Sequence, residues 1–113
     1  MKTEKTPDRF VILHHIKENT YAIFSGWSGG YLSSDSWNRS SKIQNVKDIG
    51  DYIEAETETS IYHLRKTSLG YTGYMLHILS AAKQSDEFST NIDIIDDEEK
   101  FKKFLEIFLD NPN

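Results

Sequence analysis

The chain contains no cysteine. That excludes disulfides, thiolate metal centres and a cysteine nucleophile, and it fits a reducing compartment. Proline is nearly as scarce, with two residues, Pro7 and Pro112, one towards each end. No proline-rich spacer therefore divides the chain. No hydrophobic run approaches the roughly 20 residues that a membrane-spanning helix needs, and residues 1–9 lack the apolar centre of a leader. The expectation is a cytoplasmic protein with no membrane contact, in which the glycosylation match Asn38-Arg39-Ser40 is accidental. Positive charge is also in deficit: 13 Lys and Arg stand against 18 Asp and Glu, a formal net charge of −5. Apart from Lys100, Lys102 and Lys103 the cations are scattered, so no nucleic-acid partner is expected.

What remains is an ordinary globular composition, 37% hydrophobic and 12% aromatic over 113 residues. That is enough for one domain with one modest core. Residues 1–8 are polar and expected to be loose. Phe10-Val11-Ile12-Leu13-His14-His15-Ile16 reads as a central strand buried on both faces. A polar turn at 17–19 returns the chain into a second strand over 20–25. Ile43 and Val46 suggest a short strand, the turn Ile49-Gly50-Asp51 leads into one over 52–57, and another over 60–66 closes a meander. Within that last strand Tyr62 and Leu64 point one way and Ile61, His63 and Arg65 the other. Glu54, Glu56 and Glu58 share one face, which must be solvated or lie against a basic surface.

Residues 74–84 read as a helix beginning near Thr72 or Gly73, with Met75, Leu76, Ile78, Leu79 and Ala82 available to a core. Residues 85–90 read as a loop, and 91–95 as a short strand or extended connector. The C-terminal helix, over 96–110, has the clearest signal. Phe101, Phe104, Leu105, Phe108 and Leu109 fall on one face, Asp96 with Glu99 fits an N-terminal capping pair, and Asn111-Pro112 ends it. The expected fold is α+β: an antiparallel meander of four to six strands with two helices, the C-terminal one packed on the sheet.

The chemically pointed stretch is Gly26-Trp27-Ser28-Gly29-Gly30-Tyr31-Leu32-Ser33-Ser34-Asp35-Ser36-Trp37. It holds both tryptophans and three of the six glycines. Gly26 to Gly30 spells the G-x-S-x-G pattern of a nucleophile elbow, but an elbow needs a helix to follow the serine and no helical pattern does. The four histidines offer a second possibility. His14 and His15 point to opposite faces of a strand, while His14 and His63 could meet across the sheet near Glu54 or Glu56 as a three-ligand metal site. No ligand-spacing motif supports this, and partly buried, hydrogen-bonded strand histidines account for the same residues, so no metal and no cofactor are expected. The acidic groups in the meander and before the last helix fit a solvated face and a helix cap, or else a surface that steers a basic partner.

Trp27, Tyr31 and Trp37 are the main candidates for binding, because rigid rings beside Ser and Gly supply contact area at low entropic cost. Against this stands the alternative that either Trp folds back over the sheet as a lid. Tyr71 and Tyr74, set beside glycines, could extend the aromatic surface, and Arg39 and Arg65 could fix an anionic group. Gly26, Trp27, Gly29, Gly30 and Tyr31, then Ser36, Trp37, Ser40, Ser41 and Ile43, then Ser60 and Tyr62, then Gly70, Thr72, Gly73 and Tyr74 form a pattern over roughly the middle half of the chain. It resembles small uncharacterised proteins encoded by bacteriophages and prophages, and departs from them at residues 58–62, where more glycine would be expected. The resemblance implies a mobile-element accessory protein, such as one that counters a host defence system.

The expected function is accordingly non-catalytic binding of a protein partner, as an anti-defence inhibitor or a toxin-immunity protein. The alternative is a sponge for a small anionic ligand such as a nucleotide, with a Trp or Tyr on the base and an Arg on the phosphate. An enzyme using His63 with a strand carboxylate is a third reading. A sheet edge beside an aromatic loop can also pair with its own copy, so both a monomer and a homo-oligomer fit the sequence.

Overall fold

The computed structural model describes residues 2–28 and 36–109. Eight strands and three helices follow one another as β1 (Thr3–Lys5), β2 (Arg9–His15), β3 (Thr20–Trp27), β4 (Ser36–Arg39), β5 (Asn45–Asp48), β6 (Tyr52–Glu56), β7 (Ser60–Arg65), α1 (Gly73–Ala82), α2 (Asp86–Asn91), β8 (Ile92–Ile95) and α3 (Glu98–Leu109). The fold is α+β, as the sequence implies. Its strands are divided between two four-stranded sheets, ordered β4-β3-β2-β8 and β1-β7-β6-β5. All pairings are antiparallel except β1 with β7. No helix among the described residues is long and apolar enough to cross a membrane.

The β2–β3 hairpin forms where two apolar runs are separated by a polar turn. Asn19 adopts a positive φ of 53° at its tip, a conformation asparagine tolerates better than most residues. Period-two alternation then divides the β4-β3-β2-β8 sheet into two faces. Phe10, Ile12, Tyr21 and Ile23 face the second sheet, meeting Val46, Ile53, Ala55, Tyr62 and Leu64, and α3 inserts Phe101 and Phe104 into the same cluster. Val11, Leu13 and Phe24 face the other way and are covered by Met75 and Leu79 of α1. Thus β2 is buried on both sides, as its unbroken apolar run requires.

Helix α3 packs on β5 and on β8, one strand from each sheet, and so closes the gap between them. Its ring contacts are edge-on and close, with Phe104 5.2 Å from Tyr21, Phe108 5.3 Å from Tyr21 and Phe101 5.6 Å from Phe10. Such pairs add about 0.5–1.5 kcal/mol each beyond their buried area. Helix α1 approaches β3 closely because Gly26 has no side chain: a Cβ there would lie 2.6 Å from Met75 Cγ and 2.9 Å from Thr72 Oγ1. Thr72 caps α1, its Oγ1 accepting from the Met75 amide at 3.1 Å.

Several local expectations are corrected. Residues 1–8 carry β1, held by long-range contacts that no local pattern encodes: Lys2 Nζ lies 2.8 Å from Glu56 Oε2, and His63 Nε2 2.7 Å from Glu4 Oε1. Residues 85–90, expected as a loop, contain most of α2, capped by Ser85 with Asp86 and Glu87 in its first turn. The cap of α3 is Asp97, whose Oδ1 accepts from the Lys100 amide at 2.8 Å, because Asp96 is engaged elsewhere. Leu76 stays exposed, since only Met75 and Leu79 of α1 are fully buried. Trp37 belongs to a strand rather than a loop. Glu54 and Glu56 lie on the face of β6 turned away from the core, with Lys2 bound to Glu56.

Candidate functional site

The pairing register decides where the two tryptophans go. Strand β4 pairs with β3 so that Gly26 lies opposite Trp37 and Trp27 opposite Ser36. Trp37 and Arg39 therefore share the α1 face with Phe24 and Gly26, whereas Trp27 lies on the face that meets the second sheet. The aromatic residues expected to form one surface are divided between two.

Trp27 is half-buried, and its Nε1 donates to the Thr6 carbonyl at 3.1 Å. The next amide, Ser28 N, donates to Asp8 Oδ2 at 2.7 Å. Both bonds fasten the end of β3 to the segment entering β2. Trp37 has no comparable tether among the described residues. Its ring rests 5.5 Å from that of Phe24, and 42% of the residue remains exposed. A ring seated against the core and still open to solvent is pre-ordered for contact. Tyr31, the third aromatic candidate, lies outside the described residues.

Two positions beyond Trp37, Arg39 extends along the same face. Its Nη2 lies 2.8 Å from His15 Nε2. A guanidinium can only donate, so His15 Nε2 accepts and its ring is neutral in this contact. Burial, followed by the Arg39 charge, holds the His15 pKa below its ordinary value, with Glu18 opposing and His14 adding to the shift. Arg39 and His15 border an open recess of about 370 Å³ whose walls include Glu18, Phe88 and Asn91. His15, Phe88 and Asn91 were not among the expected binding residues. The alternation of β2 places His15 on this face, but its meeting with α2 is set by tertiary packing.

The remaining candidates lie elsewhere. Arg65 is at the end of β7 in the other sheet, beside a separate recess with Asp51, Tyr52 and Lys66, and does not reach Trp37 or Arg39. Tyr71 is a structural tie: its hydroxyl donates to Asp96 Oδ2 at 2.6 Å. Burial, the hydrogen bond to Asp96 and the Asp96 charge together push its pKa far above the usual phenol range. This is also why Asp96 does not cap α3.

The proposed meeting of His14 and His63 does not occur. His14 bonds Asn19 at 2.9 Å and stacks on Tyr21 in one sheet, while His63 pairs with Glu4 in the other. Among the described residues no three His, Cys, Asp or Glu side chains converge as a metal site. What the structure does bring together is Trp37, Arg39 and His15, on the α1 side of an edge strand. No protein-family model, no curated protein and no solved structure matches this chain.

Proposed function

We propose that the protein is a non-catalytic binding protein that occupies a protein partner through the β4 edge, with Trp37 as the anchor and Arg39 as the polar contact beside it. The observation that carries this reading is the state of Trp37, exposed yet seated on Phe24. Trp and Arg dominate binding energy at interfaces because they combine large contact area with directional polar contacts. A net charge of −5 favours encounter with a basic partner and disfavours acidic ones. In biological terms we assign it to the accessory proteins of mobile elements, as an inhibitor of a host defence protein. A toxin-immunity protein would use the same physics.

A nucleotide sponge is the second reading, supported by the recess beside Arg39 and by Trp37 on the same face of the strand. There the indole would stack on a base and the guanidinium would hold a phosphate.

The test is affinity capture of host proteins with the wild type, Trp37→Ala and Arg39→Ala, followed by titration of the identified partner in purified form. The expected result is at least a tenfold weaker complex for Trp37→Ala with a melting temperature lowered by only about a few degrees. Equal affinity for all three proteins would overturn the assignment of the β4 edge. A thermal shift of the wild type by nucleotides that vanishes in Arg39→Ala would replace it with the sponge reading.

A further inference from the structure

The two sheets have four edges among the described residues, and three of them carry a carboxylate, one of the charges by which edge strands resist strand addition. Edge β1 carries Glu4 and Lys5, edge β5 carries Lys47 and Asp48, and edge β8 carries Asp93. Edge β4, Ser36-Trp37-Asn38-Arg39, has no carboxylate.

Its backbone polarity follows from bonds at either end of the hairpin. Ser40 N donates to the Ile23 carbonyl, and Asp8 N donates to the Gly26 carbonyl. In an antiparallel ladder the inward and outward residues alternate. Ser36 and Asn38 thus turn their amides and carbonyls towards β3, and Ser40 turns its amide the same way while its hydroxyl accepts from the Ile23 amide. Trp37 and Arg39 turn theirs away from it, out of the sheet edge, and carry both side chains on the α1 face.

We propose that this edge pairs with the same edge of a second copy of the chain, antiparallel about a two-fold axis through Asn38. In that register Trp37 of each copy lies opposite Arg39 of the other. The two outward-facing residues of each strand meet as hydrogen-bonded pairs, giving four backbone bonds across the axis. On the α1 face each indole meets the guanidinium of the other copy, which turns out from its contact with His15 to do so, an attraction formed twice by symmetry. The complementarity is internal to four residues: one aromatic and one cation, placed symmetrically about the centre. Helix α1 adds to it. This helix lies against β3 and β4 and leaves Leu76 uncovered. Leu76 is 50% exposed.

Pairing covers the surface that the proposed function offers to a partner, but it does not depend on that reading, because the purified chain alone is enough to test it. Sedimentation equilibrium should show the mass rising with concentration from 13.1 kDa towards twice that value. Trp37→Ala and Arg39→Glu should each weaken the dimer at least tenfold while leaving the melting curve close to wild type. The register has its own signature. The chain has no cysteine, and a residue on the axis at a non-hydrogen-bonded pair faces its own copy at about 4.5 Å between Cα atoms, within disulfide reach. Asn38→Cys should therefore cross-link on mild oxidation, and Ser36→Cys should not. A constant mass of one chain up to about millimolar concentration, where even a 4 kcal/mol association registers, would overturn the proposal. So would a dimer that survives both Trp37→Ala and Arg39→Glu, or equal cross-linking through positions 36 and 38.

Discussion

The two faces of the β4-β3-β2-β8 sheet are built from alternate residues of the same strands, yet they are unequal. One face is sealed by a second sheet and by α3, and thirteen buried residues form its cluster. Among the described residues the other is covered by α1, α2 and Tyr71, with five buried residues. Trp27 ends on the first face and is tied down. Trp37 ends on the second and stays half open. The difference shows that exposure of an aromatic residue here is set by strand parity and by how much structure covers each face, and much less by the composition of the loop it borders.

The most damaging way to break the comparison is to hollow the sealed face. Phe104 is fully buried and touches Tyr21, Phe101 and Phe108. Phe104→Ala should cost about 3–5 kcal/mol, the usual range for a buried phenylalanine, measured by urea unfolding. If the open face is equally essential, Leu79→Ala will cost as much. The expected value is lower, about 2–3 kcal/mol, with the loss concentrated in α1 and α2 by hydrogen exchange.

A smaller effect is expected where the open face fits most tightly. Gly26→Ala drives a methyl into Met75 and Thr72, and overpacking of this kind costs about 1–3 kcal/mol. The Met75 side chain is flexible, so Gly26→Ala,Met75→Ala should recover part of what Gly26→Ala alone loses. Additive losses in urea unfolding would mean that the contact at Gly26 does not set the approach of α1.

The tryptophans test the comparison directly. Trp27→Ala removes a half-buried ring and its bond to Thr6, and should destabilise by about 1–2 kcal/mol. Trp37→Ala removes a contact with Phe24 and should cost about 0.5–1 kcal/mol, with its main consequence for binding. Reversed magnitudes in thermal unfolding would mean that the open face is structural and the sealed end of β3 is the exposed one.

Much of this organisation is legible in the sequence because it is periodic. The dense run Phe10–Ile16 predicts a strand buried on both faces, and the stripe of Phe101, Phe104, Leu105 and Phe108 predicts α3. The meander over β5, β6 and β7 follows from alternation and from Gly50, whose φ of 121° suits its turn. What is not legible depends on distant partners. β1 is three polar residues held by β7, Lys2 and Glu4 find their ions more than fifty residues away, and α2 is too short for a helical period. The candidate site has the same division. Trp37 and Arg39 are visible as residue types, but their separation from Trp27 requires knowing that Gly26 pairs with Trp37. The engagement of Tyr71 by Asp96 joins two segments that no spacing rule connects.

The smallest expected effect concerns His15, which lies on the open face beside Arg39 and Glu18. Its folded pKa lies below the ordinary 6.5, so between the two values the unfolded chain binds a proton that the folded chain resists. His15 therefore contributes full stability above about pH 6.5, and that contribution falls as the pH drops through 6.5 to the lowered folded value. Carboxylates titrate mainly below this window, and His14, His63 and His77 are common to wild type and variant. The expected outcome is a Tm that declines more steeply for the wild type than for His15→Gln between about pH 7.5 and pH 5.5. Arg39→Ala should flatten the wild-type slope in the same direction, because the nearby cation is one source of the shift. Parallel curves for wild type and His15→Gln would mean that the Arg39–His15 contact places no electrostatic load on the open face, and would leave Trp37 as its one distinguishing feature.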